Sequence, residues 1–185
     1  MNKHCSFVHF RLMSLMLKIR DMVRPPISKL RGAGLKPGAS VLDYGCGPGG
    51  FSMAAARIVG HKGHVYALDI HPLAVQTVRK KAVRKGLNNI SVLFSDHDTG
   101  LPDSRMDFII LNDVLHVLDD PESVLRECFR LLGPEGVIFV SDHHFDPQEI
   151  RRRITGGRLF RLSTRQGKNF LFRKDVKLSQ EQAAA

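Results

Sequence analysis

A chain of 185 residues with 43% apolar and 25% charged residues can bury the core of one domain, which excludes a disordered or fibrous protein. Its three cysteines, Cys5, Cys46 and Cys128, form no CxxC pair; this excludes a disulfide framework and a cysteine-based zinc site and suits a reducing cytoplasm. The net charge of +10 gathers at the two ends around a slightly acidic middle, a pattern that fits an anionic partner or a solvated surface.

Residues 1–36 read as a helical extension. Phe7, Phe10, Met13, Leu15, Leu17 and Ile19 place apolar groups on nearly every side of a helix that Pro25 and Pro26 end. Two readings stand for it. It covers the open face of the main domain as a lid, or it lies in a membrane interface with Arg11, Lys18 and Arg20 reaching the head groups. No stretch approaches the roughly 18 apolar residues that cross a bilayer. From Ser40 onward strands and helices alternate. "SVLDYG" predicts a strand and Phe51–Val59 a helix. "HVYALDI" predicts the next strand and Leu73–Lys85 the next helix, closed by Gly86. "ISVLF" and "MDFIILND" predict strands, Glu122–Leu132 a helix after Pro121, "GVIFVSD" a strand and Pro147–Ile154 a helix. Two short strands about a polar turn at Arg165–Lys168 form a closing hairpin. This alternation predicts an α/β fold, a doubly wound and mostly parallel seven-stranded sheet buried on both faces. The terminal hairpin adds an antiparallel edge. The domain is expected over 37–177, with 178–185 as a disordered tail.

The stretch "VLDYGCGPGGFS" follows the first strand and opens a helix, which is where parallel sheets bind ligands. Gly45, Gly47 and Gly50 form G-x-G-x-x-G, and Asp69 ends the second strand nineteen residues after Gly50. That spacing delivers a carboxylate to a ribose diol. Asp43 at the end of the first strand suits an ammonium group better than a pyrophosphate, and the loop lacks the Lys-Ser/Thr of a P-loop. Asp96 follows the third strand, placed to accept from an exocyclic amine. An amino group, a ribose and an adenine edge describe S-adenosylmethionine.

With those residues in view, the stretch from about Lys36 to Asp175 resembles a class I, Rossmann-like S-adenosylmethionine-dependent methyltransferase. "VLDYGCGPGGFS" resembles the family's first motif, "VYALDIHPLAV" its second, and the stretch from Ser95 to Asp142 its later ones. The nearest in character are small-molecule enzymes of the quinone-biosynthesis and arsenite-methylating kind. The resemblance implies that Gly45 and Gly47 admit the methionine portion, Asp43 orients its amino group and Asp69 holds the ribose. It puts Ile70 and His71 against the adenine, Asp96 on the adenine amine with Ser95 or His97 adjoining, and Asn112 at the sulfonium. His71 also precedes Pro72, as a helix start would.

Methyl transfer from a sulfonium needs alignment above all, and a base only where the acceptor holds a proton. Two loops supply candidates. Asp113 and His116 follow the fourth strand; Asp142, His143 and His144 follow the fifth. Histidine titrates near neutrality and suits proton transfer. These groups could in principle bind a divalent ion, but HxH and HxxxH spacings are missing, so no metal is expected. The absence of an N-P-P-Y motif after the fourth strand argues against DNA adenine and glutamine acceptors, the absence of a Pro-Cys pair argues against attack on cytosine, and the positions of Cys46 in the glycine loop and Cys128 on an apolar helix face argue against arsenite. The expected acceptor is a small, apolar molecule. The alternatives are an RNA or protein methyltransferase using the basic ends, and a non-catalytic cofactor-binding protein. Against RNA, Phe160, Phe170 and Phe172 alternate as core residues of strands rather than as a stacking platform.

Overall fold

The computed structural model describes residues 25–95 and 98–175, together with Leu12, Met16, Arg20 and Val23. The residues expected to line a lid, Phe7, Phe10 and Met13, lie outside the described residues, as do Asp96, His97 and the 178–185 tail. Leu12, Met16 and Val23 are largely exposed. Among the described residues no helix is long and apolar enough to cross a membrane. The chain divides into two compact units, Met1–Thr99 and Gly100–Ala185.

The first unit begins with α1 (Pro26–Gly32), followed by β1 (Ser40–Tyr44), α2 (Gly50–Val59), β2 (His64–Asp69), α3 (Pro72–Arg84) and β3 (Ile90–Phe94). Pro26 was expected to end a helix; it also starts one, because a first-turn position needs no N–H and favours the fixed φ of proline. Leu30 of α1 is fully buried, and α1 packs on α2. α2 carries three consecutive alanines, all buried, and their small side chains let its backbone lie close to its neighbours. α3 buries Ala74, Val75, Val78 and Ala82, while its Arg79, Lys80 and Arg84 are exposed to solvent. β1 pairs with β2 and β2 with β3, all parallel.

The second unit contains β4 (Met106–Asn112), α4 (Pro121–Leu131), β5 (Leu132–Ser141), α5 (Pro147–Thr155), β6 (Phe160–Gln166) and β7 (Asn169–Lys174). α4 shows the 3.6-residue period in its buried Val124, Leu125, Cys128 and Leu131. β4 and β5 are parallel; β7 is antiparallel to both β5 and β6. Phe160, Phe170 and Phe172 are buried to within 2% of completely. Each contributes about 1.5–3 kcal/mol by leaving water, and none is available to stack on a base.

The seven strands run in the order β3-β2-β1-β4-β5-β7-β6, the mostly parallel sheet with an antiparallel hairpin that the alternation predicts. One expectation needs correction. β3 was read as buried on both faces, but none of its residues is buried and Phe94 is 63% exposed. The strand order puts β3 at an edge, where an apolar run need not be enclosed on every side.

Cys46 and Cys128 are buried free thiols. Burial pushes both up, Cys128 to about 12, and for Cys46 the charges of Asp43 and Asp69 add to the effect. The thiolate is the reactive form, so a thiol reagent is expected to leave both unmodified in the folded protein and to label both after denaturation, as read by peptide mass spectrometry.

Candidate cofactor and acceptor sites

The glycine loop is built by hydrogen bonds to the neighbouring strand. The N–H groups of Gly45 and Cys46 both donate to the Leu68 carbonyl at 2.9 Å, which bends the chain away from β1. Gly45, Gly47 and Gly49 then take φ values of 70°, 50° and 80°, a left-handed conformation that only glycine adopts without cost. Space around them differs. A Cβ on Gly47 would meet nothing of the described residues within 4 Å, whereas a Cβ on Gly49 would lie 2.7 Å from Cγ2 of Val78 on α3. Gly47 thus leaves room for a ligand, and Gly49 leaves room for the protein's own helix. The motif reading chose Gly50, which begins α2, and passed over Gly49. Lys81 donates from Nζ to the Pro48 carbonyl at 2.6 Å and ties α3 to the loop.

Asp69 is brought directly to this loop. Its Oδ2 accepts from the Gly47 N–H and its Oδ1 from the His71 N–H, both at 2.8 Å. A carboxylate offers about four lone-pair sites, so these two bonds do not exhaust its accepting capacity. Burial raises the pKa of Asp69, against the lowering effect of these backbone donors. Asp43 is 2% exposed and accepts from Ser52 Oγ at 2.5 Å; this link from β1 to α2 has no sequence signal beyond the hydroxyl itself. α2 has no side-chain cap and no acid in its first turn, so its N-terminus suits an anionic group. Ile70 is half-buried beside Asp69. His71 caps α3, its Nδ1 accepting from the Leu73 N–H at 3.2 Å. The Ser95 hydroxyl donates to the Asp98 carbonyl.

A second cluster forms in the other unit, just past β4 and β5, whose last residues Asn112 and Ser141 pair in register. The Asp113 N–H donates to the Ser141 carbonyl at 2.7 Å, and its φ is 52°, an uncommon value for a non-glycine residue. This geometry presents the Asp113 carboxylate to His143, which donates from its backbone N–H at 3.2 Å and pairs through Nδ1 at 2.8 Å. Asp142, one of the candidates past the fifth strand, is the centre of the cluster. Its side chain is fully buried, with His116 Nδ1 at 2.9 Å from one oxygen and His144 Nδ1 at 3.3 Å from the other. The backbone N–H groups of His116 and His144 donate to the same oxygens at 3.3 and 3.0 Å. The amide of Asn112 donates to Asp113 at 3.1 Å, while its carbonyl oxygen is buried with no partner among the described residues. The donor side must face a carboxylate, so the orientation is fixed and Oδ1 is left as an acceptor for a bound group.

A glycine loop, a ribose-type acid at the next strand end and this strand order define a class of cofactor-binding enzyme fold. The comparisons with known proteins make it specific. Residues 35–171 match the family model described as a methyltransferase domain. The chain belongs to this family, of the class I, S-adenosylmethionine-dependent type. It is similar to a ubiquinone/menaquinone biosynthesis C-methyltransferase, UbiE, from Vibrio vulnificus, with 34% identity over 62% of this chain and 46% of that protein. It spans about half the length of the curated relatives it matches. Among solved structures it resembles a SAM-dependent methyltransferase from Aquifex aeolicus, with 29% identity, a TM-score of 0.70, and coverage of 80% of this chain and 87% of that one. An arsenic (III) S-adenosylmethionine methyltransferase from Chlamydomonas reinhardtii matches at 30% identity and a TM-score of 0.53, over 63% of this chain and 44% of that one.

Proposed function

We propose that this protein transfers the sulfonium methyl of S-adenosylmethionine to a small, apolar acceptor by in-line displacement. The observation that carries the reading is the bond between Gly47 N–H and Asp69, which brings a half-buried carboxylate to a glycine backbone that no described residue obstructs. In this reading Asp69 accepts from the ribose diol, Asp43 from the methionine ammonium, and Gly45, Gly47 and Gly50 with the α2 N-terminus receive the methionine portion. Ile70 lies on the adenine, Ser95, Asp96 and His97 surround its amine, and Asn112 Oδ1 accepts from the bound ligand. Displacement at a sulfonium leaves the protein the work of alignment. The acceptor's ionisable proton is handled at the cluster of His116, Asp113, His143 and His144 around Asp142.

The similarity to a quinone C-methyltransferase supports a quinol-like acceptor, and the buried, unpaired thiols suit work in the cytoplasm. Residues 1–36 would cover the acceptor, with Leu12, Met16 and Val23 as exposed apolar groups to meet it or the lipid surface that holds it. The test is incubation with methyl-labelled S-adenosylmethionine and an isoprenoid quinol, with mass spectrometry of the product. Label in the quinol supports the reading; label only in RNA or protein from a mixed substrate pool overturns it. A His116→Ala variant is expected to turn over roughly 100-fold more slowly with cofactor affinity unchanged, measured by single-turnover kinetics beside a binding titration.

A further inference from the structure

The acid–imidazole cluster has the composition of a ligand set. His116, Asp142 and His144 each offer one ligand atom, and these atoms all lie within 4.8 Å of one another. Ligands about 2.1 Å from a zinc-sized ion sit roughly 3–3.5 Å apart, close to the 2.9 and 3.3 Å separating Asp142 oxygens from the two Nδ1 atoms. Both rings turn Nδ1 toward the one carboxylate of Asp142.

Charge and packing argue in the same direction. The side chain of Asp142 is fully buried, yet its partners are two imidazoles and two backbone N–H groups, with no lysine or arginine among them. A buried carboxylate needs a cation to offset its desolvation. The His116 and His144 rings have centroids 3.6 Å apart, and His143 lies 3.9 Å from His144. Asp113, held at a φ of 52° and paired with His143, supplies a second carboxylate beside the first. The His116 and His144 side chains are 23% and 47% exposed, so an ion can enter and keep a position open.

We propose that His116, Asp142 and His144 bind one divalent transition-metal ion of the zinc type, with Asp113 and His143 as its neighbouring carboxylate and imidazole. Two imidazoles and one carboxylate with an open position form an ion site that can bind and polarise an oxygen ligand. No HxH or HxxxH spacing is needed here, because these ligands come from two loops that only folding brings together. That the open position receives the methyl acceptor rests on the function proposed above; the binding of the ion does not.

The experiment is calorimetric titration of tag-free, chelator-treated full-length protein with zinc chloride, alongside visible spectroscopy with cobalt(II) chloride. The expected result is one zinc per chain with micromolar affinity, and a cobalt absorption of four- or five-coordinate intensity. The His116→Ala/His144→Ala variant should lose about 100-fold in zinc affinity, while the surface variant His61→Ala keeps it. S-adenosylmethionine affinity is measured on each protein. Retention of cofactor binding by the double variant shows that it is folded. Absence of zinc binding by the parent overturns the proposal whether or not the cofactor binds. Equal zinc affinity in parent and double variant also overturns it, marking the binding as adventitious. Zinc binding without cofactor binding would overturn the proposed methyl transfer and leave the metal site standing.

Discussion

Asp69→Ala lowers the affinity for S-adenosylmethionine by about two orders of magnitude. A hydrogen bond to a charged group is worth about 1.5–3 kcal/mol, and a ribose diol makes two of them. Losing both removes roughly 3 kcal/mol, about 100-fold in Kd. The substitution also releases the N–H groups of Gly47 and His71, the two backbone donors that hold the loop to the end of β2, so part of the loss is pre-organisation. The pH dependence has a defined sign. Burial raises the pKa of Asp69 in the free protein, and the diol donates to the ionised form. Binding therefore lowers that pKa and releases a proton when it occurs near it. Affinity is full above the raised pKa and falls as pH drops through it. Asp69→Asn removes this dependence. Titration calorimetry across a pH series checks both statements, and an alanine variant that binds as tightly as the parent would remove Asp69 from the site.

Gly49→Val lowers the melting temperature by about 6–12 °C, while Gly47→Ala lowers it by only about 2–4 °C and weakens cofactor binding. Both residues have positive φ, which costs a side chain roughly 1 kcal/mol. At Gly49 the new Cβ also lies 2.7 Å from Val78 Cγ2, and Val78 is fully buried in the cluster with Cys46, Met53, Ala67 and Ala82. Relief requires α3 or the loop to move, an overpacking cost of about 1–3 kcal/mol. The sum of roughly 3 kcal/mol gives the larger temperature change for a chain of this size. At Gly47 a methyl group meets no atom of the described residues, so its main effect falls on whatever approaches the backbone there. Thermal melts with and without cofactor separate the two. Equal destabilisation by both substitutions would contradict this division of labour.

Much of the fold is local in origin and therefore readable in the residues. Strand–helix alternation, prolines in first turns and the 3.6-residue period of α4 depend on near neighbours in sequence. So does the placement of Asp69 at the end of β2, since the length of one helix and one strand fixes that spacing. The packing of α1 was less visible, because Pro26 carries the same chemical signal at the end of one helix and the start of the next.

The sequence by itself determined the α/β architecture, the glycine loop as the place where backbone lies open, and the acids that end β1 and β2. These follow from periodicity, from φ preferences and from spacing, all properties of short segments. Tertiary structure alone decided which glycine yields to Val78, that β3 is a half-exposed edge, and that Asp142 gathers His116 and His144. Each of these depends on contacts between segments distant in sequence, whose partners are chosen by strand order and helix packing. Asp142 carries no distinguishing mark in "SDHHFD". Its role appears only when β4 and β5 lie side by side and bring the loop of His116 to a buried carboxylate.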